Sequence, residues 1–123
     1  MDKRYVAQRM VTNSDWSSIF QFTVGTPPVP QDLSTWTLRG KCQRTNLPNN
    51  NLDLVPRMTL GLDTSQLIIS LTDVDTLKLG VGRIVFEVLR VDPPPQRPIL
   101  RFFIENTIGV VDNLFVTPIV GRY

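Results

Sequence analysis

The sequence contains no histidine, and that absence removes several kinds of site at once. Histidine is the commonest general base and a frequent ligand of transition metals. Without it, Ser-His-Asp triads, Cys-His dyads and zinc sites of the HExxH type are impossible. No motif frames a serine and a lysine as an alternative nucleophilic pair. We therefore expect a protein that is not an enzyme and that uses no cofactor or metal.

Cysteine is nearly absent as well, since Cys42 is the single one, and no disulfide can form within the chain. That usage fits a reducing compartment. Long apolar runs are also missing, because no stretch approaches the roughly 18 apolar residues that a membrane-spanning helix needs. The opening MDKRYVAQRM is not followed by the apolar stretch of a signal peptide. We expect no membrane partner.

The chain has little net charge, because its 13 basic and 11 acidic residues leave only +2. A charge this small does not by itself predict a nucleic-acid partner. Arg39, Lys41 and Arg44 nevertheless form a local basic cluster that could bind anions. They indicate an alternative function, a small β-barrel or β-sandwich module for nucleic acid or carbohydrate. The simpler interpretation is a solvated sheet face whose charges discourage edge-to-edge pairing.

Apolar residues recur with a period of two, which is typical of β-strands with one buried face. In residues 35–44, Trp36, Leu38 and Cys42 share one face, while Arg39 and Lys41 share the other. We predict Trp36 as the central core anchor and Cys42 as a small core residue. The predicted strands are residues 18–24, 35–44, 52–60 with a break at Pro56, 66–71, 83–91 and 99–106, with one more in the C-terminal tail.

The segments between these strands are rich in turn-forming residues, including many of the 10 prolines. We predict a polar loop at residues 45–51 and a stiff proline connector at residues 92–98. Residues 72–79 predict one short helical turn that begins at a threonine or aspartate and ends at Gly80. About seven short strands at this spacing predict an all-β antiparallel sandwich or small barrel.

Three aspartates raise the question of a calcium site, since Asp73 and Asp75 are close together and Asp63 precedes them. Calcium loops need several oxygen ligands at close spacing, usually around a glycine turn. Capping of the helical turn is the simpler explanation for Asp73 and Asp75. We therefore predict no metal site.

The strand at residues 83–91 has apolar residues on both faces. This pattern predicts that it is central in its sheet or that one face meets a partner. Trp16 beside Asp15 either staples the first strand or contacts a neighbour.

Four segments of the chain follow one another in a distinctive order: DWSSIFQFTV, PQDLSTWTLRGKCQR, LTDVDTLKLGVGRIVFEVLRVD and PILRFFIENTIGVV. This order resembles that of small structural proteins of tailed phages and prophages, including the N-terminal type of domain in baseplate upper proteins. The second segment is similar to their "DLTGYTFRGQVR" type of sequence, the third to their helical turn and following strand, and the fourth to their last strand. The chain departs from the pattern at Thr35, where those proteins have glycine, and at Ile84, where they have an aromatic residue.

The resemblance covers roughly residues 14–111 and implies an immunoglobulin-like β-sandwich. It also implies a non-enzymatic virion protein of the tail, baseplate, neck or head that is assembled in the host cytoplasm. Its partners would be other virion proteins, and it would form a homo-oligomer.

The two ends of the chain are apolar but have weak strand periodicity. We divide the chain into an N-terminal arm at residues 1–13, the sandwich domain at residues 14–111, and a C-terminal arm or last strand at residues 112–123. Arms of this kind can add strands to neighbouring sheets, although ordinary terminal strands explain the pattern equally well. The candidate interface residues are Trp16, Val85, Leu89, Phe103, Phe115, Val116, Ile119, Val120 and Tyr123.

Overall fold

The computed structural model describes residues 9–108, which are mainly β-strands joined by turns. The prediction of a mainly β domain is confirmed. Its elements, in chain order, are β1 (Met10–Val11), β2 (Trp16–Gln21), β3 (Thr23–Val24), β4 (Val29–Pro30), β5 (Leu38–Arg44), β6 (Leu47–Asp53), a 3-10 turn (Val55–Arg57), β7 (Met58–Leu60), β8 (Gln66–Leu71), α1 (Asp73–Leu79), β9 (Gly82–Arg90) and β10 (Arg97–Thr107).

Five strands form the larger sheet, in the order β1-β10-β9-β5-β6. β9 lies at its centre and pairs antiparallel with both β10 and β5. Because β9 has a paired strand on each side, the prediction of a central strand is confirmed, and its Ile84, Phe86 and Val88 are fully buried. One pair departs from the predicted antiparallel arrangement, because β1 runs parallel to β10.

Three strands form the second sheet, in the order β2-β8-β7, and β3 and β4 form a separate short hairpin. β2 pairs with β8 from Trp16 opposite Leu71 to Gln21 opposite Gln66. Alternation along β2 buries Trp16, Ser18 and Phe20 and exposes the residues between them. The buried face of this sheet therefore points toward the inner face of the larger sheet.

Aromatic rings join the two sheets in one core. Phe86 and Phe102 stack with their ring centroids 4.7 Å apart. Trp16 lies 5.2 Å from Phe86, and Phe20 lies 5.0 Å from Phe102. Each such pair contributes about 0.5–1.5 kcal/mol beyond the burial of its apolar area. Cys42 belongs to the same buried cluster, as predicted.

The polar segment at residues 45–51 was predicted as a loop, and this prediction is wrong, because β6 begins at Leu47. β6 is the outermost strand of the larger sheet, where a proline costs no ladder hydrogen bond if its nitrogen faces outward. Asparagine side chains also satisfy backbone groups nearby, since Asn51 donates to the carbonyl of Pro48 and Asn50 to that of Leu79. The predicted break at Pro56 is confirmed by the 3-10 turn.

The helical turn predicted at residues 72–79 is confirmed as α1, which has seven residues. The hydroxyl of Thr72 accepts from the Asp75 backbone N–H, and the Asp75 carboxylate accepts from that of Thr72, which is a capping box. Gly80 ends the helix with a positive φ of 79°. Within residues 9–108, no helix has the length and apolar character needed to cross a bilayer.

Trp36 was predicted as the central core anchor, and the structure corrects this. β5 begins only at Leu38, and Trp36 lies in the turn before it. There the backbone N–H of Trp36 donates to the Leu33 carbonyl. The residue is half-buried at the rim of the core, with the Arg90 guanidinium 4.0 Å above its ring. Phe86 and Phe102 occupy the centre instead, because they lie opposite each other on the central strand β9 and on the adjacent strand β10.

Of the predicted N-terminal arm at residues 1–13, the structure describes residues 9–13, and within them Met10 and Val11 form the short strand β1. Met10 is fully buried and pairs with Asn106 of β10, so these residues belong to the sheet. The apolar side chain of Met10 packs at the edge of the core, which explains why β1 is held against the sheet. Residues 1–8 and 109–123 lie outside the described residues, and with them the predicted C-terminal arm or last strand.

Candidate functional site

The outward side of the larger sheet, called here the outer face, carries most of the predicted site residues that the structure describes. Alternation along each strand fixes which side chains point outward. On β9 the outward side chains alternate with the fully buried Ile84, Phe86 and Val88. The outer face is formed by Arg39, Lys41 and Gln43 of β5, Asp53 of β6, Arg83, Val85, Glu87 and Leu89 of β9, and Arg101, Phe103 and Glu105 of β10.

Phe103 is the most exposed aromatic feature of the outer face, with 44% of its surface accessible. It lies directly opposite Val85 on the neighbouring strand. The guanidinium groups of Arg83 and Arg101 lie 5.5 and 5.1 Å from its ring centroid. Such contacts are worth about 0.5–1 kcal/mol at exposed sites. The face therefore combines an aromatic ring, half-buried apolar side chains and arginines.

Charges of opposite sign alternate across the strands of the outer face. One row runs Asp53, Lys41, Glu87, Arg101 from β6 to β10. Arg101 Nε lies 4.0 Å from Glu87, and in the next row but one Arg83 Nε lies 3.2 Å from Glu105. Exposed pairs of this kind contribute little to stability. They cancel one another's fields, so the face has no strong net potential.

The predicted basic cluster does not form as a unit. Arg39 and Lys41 point outward, but Arg44 lies on the same side of β5 as the buried Cys42 and is placed over the end of α1. Its Nη1 donates to the Leu79 carbonyl at 3.4 Å, where a cation is favoured by the helix dipole. Arg44 therefore stabilises a helix end, and only Arg39 and Lys41 remain on the outer face.

Trp16 was predicted as an interface candidate, and the structure removes it from that role. Only 6% of its surface is exposed, and its ring packs on Phe86 in the core. Its indole N–H has no hydrogen-bond partner among the described residues. The hydroxyl pair of Ser17 and Ser70 lies nearby on the outer side of the smaller sheet.

Five of the predicted interface residues lie outside the described residues, so their placement stays a prediction: Phe115, Val116, Ile119, Val120 and Tyr123. Of the remaining four, Val85, Leu89 and Phe103 share the outer face. The structure thus brings together three of the predicted interface residues and adds Arg83 and Arg101, which periodicity did not single out. The sequence did carry a signal for both arginines. Arg83 precedes Val85 by two residues, and Arg101 precedes Phe103 by two residues, so each lies on the same strand face as the apolar residue.

An ion pair between Arg57 and Asp75 was also missed by sequence reasoning. The guanidinium donates from Nε and Nη2 to the two carboxylate oxygens at 2.9 and 2.8 Å. These hydrogen bonds lower the pKa of Asp75 below its ordinary value. The pair ties the 3-10 turn to α1, so Asp75 has a structural role. Its spacing of 18 residues from Arg57 carries no local sequence signal.

Two other groups within residues 9–108 that could be reactive, Cys42 and Asp63, have structural roles. Burial raises the pKa of the Cys42 thiol to about 12, which keeps it protonated and unreactive. The Asp63 carboxylate accepts from the N–H and hydroxyl of Ser65, which lower its pKa. In residues 9–108, no group of three or more metal-binding side chains comes together.

A shallow groove elsewhere on the domain is lined mainly by apolar side chains. Its walls come from the turn before β5, from the 3-10 turn and from β7 and β8, and include Leu33, Trp36, Leu38, Met58 and Leu60. Among residues 9–108, no charged side chain lines it. It lacks the convergent polar groups that fix a small ligand.

The outer face is therefore the surface with the clearest capacity for recognition among the described residues. Comparison with known proteins adds no identification: no family model matches the chain, and no curated protein matches it significantly.

Proposed function

We propose that the chain is a non-enzymatic structural subunit of a tailed-phage particle, whose immunoglobulin-like β-sandwich binds other virion proteins. The observation that carries the protein-binding part is the outer face, where Phe103, Val85 and Leu89 lie among paired charges. Aromatic residues and arginines are enriched in protein interfaces. The phage context comes from the resemblance of residues 14–111.

Two features support the sandwich. The inner faces of the larger and smaller sheets share one core through the contacts of Trp16 with Phe86 and of Phe20 with Phe102. Except for β1, all described strand pairs are antiparallel. Both features are typical of sandwiches built from short strands.

The charge pattern supports association between copies of the chain. Arginines and glutamates alternate on the outer face, as in the row that contains Glu87 and Arg101. In a two-fold contact, each copy presents the same patch, so an alternating patch can set each arginine against a glutamate of the second copy. Phe103 would lie in the apolar centre of such a contact.

The phage context is tested by the copy number of the chain in purified particles from the source culture, measured by quantitative mass spectrometry. A small multiple of three or six copies fits the rings of a tail, neck or baseplate. Copies on the order of hundreds fit a tail tube or a head decoration. Particles that contain none of the chain refute the virion proposal.

The protein-binding face is tested with matched surface variants. Phe103→Ser removes the exposed ring, and Ile19→Ser removes a comparably exposed residue, 55% accessible, from the outer side of the smaller sheet. We expect sedimentation velocity to show that the first variant dissociates the oligomer and the second does not. A wild-type chain that is monomeric at every concentration refutes the homo-oligomer.

A second function, binding of single-stranded nucleic acid or carbohydrate, is favoured by one observation. Phe103 is an exposed ring between two arginines on the same face as Arg39 and Lys41, as in stacking platforms. Glu87 and Glu105 on that face oppose phosphate binding. A fluorescence titration with an oligonucleotide would show affinity that falls steeply with salt if this function is correct. Contact through apolar side chains would change little with salt.

A further inference from the structure

A hollow of about 190 Å³ lies on the outer face beside the exposed ring of Phe103. Phe103 lies opposite Val85 on β9, and Val85 lies opposite Gln43 on β5, so these three residues form one row across the sheet. The hollow extends from this row into the next, and its lining comes from three strands: Lys41 and Gln43 of β5, Val85 and Glu87 of β9, and Arg101 of β10. The ring and the hollow are therefore neighbours on one surface.

The size and the lining of the hollow suit an aromatic ring. Cavities of about 150 Å³ hold a benzene molecule, so the hollow has room for a phenyl group. Val85 offers it an apolar contact, and the cations of Lys41 and Arg101 are favourable neighbours for the face of a ring. Glu87 in the same lining would repel a phosphate or a carboxylate. An uncharged aromatic group is thus a better occupant than an anion.

We propose that two copies of the chain associate through the outer face by inserting the Phe103 ring of each copy into the hollow of the other. In a two-fold contact, both copies use the same patch, so whatever one copy offers it also receives. Each copy has one ring and one hollow side by side, so a single two-fold axis between them fills both hollows. Phe103 leaves 44% of its surface accessible in the single chain, and this insertion would bury it.

The charges around the hollow are compatible with the same axis. Glu87 lies on β9 at the hollow, and Arg101 lies opposite it on β10, on the side of Phe103. Because the axis exchanges the ring side and the hollow side, Glu87 of each copy faces Arg101 of the second copy. Arg101 Nε already lies 4.0 Å from Glu87 within the chain, so neither charge would be buried without a partner.

This inference rests on the proposed association of copies through the outer face and is independent of the phage context. It adds what each Phe103 ring contacts, and its test must therefore separate the hollow from the face as a whole.

Three variants of the full chain test the arrangement. Phe103→Ala removes the ring, and Val85→Phe fills the hollow from its own strand. The control Leu89→Phe adds a ring on the same strand and the same face, but Leu89 lies four residues beyond Val85 and does not line the hollow. Sedimentation velocity over a series of concentrations gives the dissociation constant of the dimer. We expect each of the first two variants to raise this Kd by at least about 30-fold, and the control by less than about 3-fold.

A mixture of two variants gives the sharper test. The Phe103→Ala chain keeps an open hollow, and the Val85→Phe chain keeps the Phe103 ring. One ring-in-hollow contact can therefore form between the two different chains but in neither chain alone. We expect the mixed dimer to be roughly 10-fold or more tighter than either variant by itself. Gln43→Trp, which blocks the hollow from β5, serves as a second filling variant, and circular dichroism shows whether each variant is folded.

The possible results separate this inference from the proposed function. A dimer that Phe103→Ala weakens but that both filling variants leave intact, or a mixture that is no tighter than its components, overturns the ring-in-hollow contact and leaves association through the outer face in place. A wild-type chain that is monomeric at every concentration, or an oligomer that every variant leaves unchanged, overturns both.

Discussion

Replacing Asp75 by asparagine tests how much one ion pair contributes to this fold. Asp75 accepts two hydrogen bonds from Arg57 and one from the Thr72 N–H at 3.0 Å. Asparagine keeps the shape of the side chain but has no charge and only one oxygen. The variant therefore loses a charged hydrogen bond to Arg57 and leaves a guanidinium without its counter-ion.

The magnitude follows from the burial of the pair. The Asp75 side chain is 10% exposed and that of Arg57 is 27% exposed, so water replaces only part of what is lost. A hydrogen bond to a charged group contributes about 1.5–3 kcal/mol. We expect the free energy of unfolding to fall by about 2 kcal/mol at pH 7, which for a chain of this size lowers the Tm by roughly 6–10 °C.

The effect should depend on pH in a defined direction. Hydrogen bonds from Arg57 hold the pKa of Asp75 below its ordinary value of 3.8, so the native state favours the carboxylate more than the unfolded chain does. The resulting stability is complete above the unfolded pKa and is lost as pH falls through the folded pKa. The wild type and Asp75→Asn should therefore converge in stability in strong acid.

Urea unfolding followed by circular dichroism measures the difference, with Asp73→Asn as the control. Asp73 lies in the same helical turn but is exposed, and its carboxylate accepts only from the N–H of Val74. Its loss should cost about 0.5 kcal/mol or less. The reasoning fails if the two variants are equally destabilised at pH 7, or if the cost of Asp75→Asn stays constant into strong acid.

Three further predictions concern the core and its close contacts. Phe86→Ala should lower the free energy of unfolding in urea by about 3–5 kcal/mol, because it empties the position between Trp16 and Phe102. The control Ile19→Ala, on the outside of the smaller sheet, should lower it by less than about 1 kcal/mol, and equal losses would contradict the assigned core. Cys42 should not react with a thiol reagent at pH 8 in the native state and should react fully in urea, since burial raises its pKa to about 12; prompt labelling of the folded protein would show that the site is open. Gly82→Ala should lower stability by roughly 1–3 kcal/mol, because its φ is 141° and an added Cβ would lie 2.8 Å from Arg44 Nε, and replacing Arg44 as well by alanine should restore only the part due to the clash.

Local pattern was sufficient for several features of this protein. The alternation of apolar residues determined the positions of β8 and β9, because period two reports directly which face of a strand is buried. Capping residues determined α1, since Thr72, Asp75 and Gly80 act within one or two turns of the chain. The prolines at residues 93–95 determined a connector, because they cannot take part in a sheet interior.

Other features depend on pairings between residues far apart in the chain, and only the tertiary structure decided them. The asparagine-rich β6 is a strand because β5 lies beside it, and Trp36 is at the rim because two phenylalanines from β9 and β10 meet at the centre. Arg44 lies apart from Arg39 and Lys41 and donates to the Leu79 carbonyl at the end of α1, 35 residues away, and Arg57 forms an ion pair with Asp75. Local propensity carries no information on such contacts, because their energy exists only once the two sheets have packed.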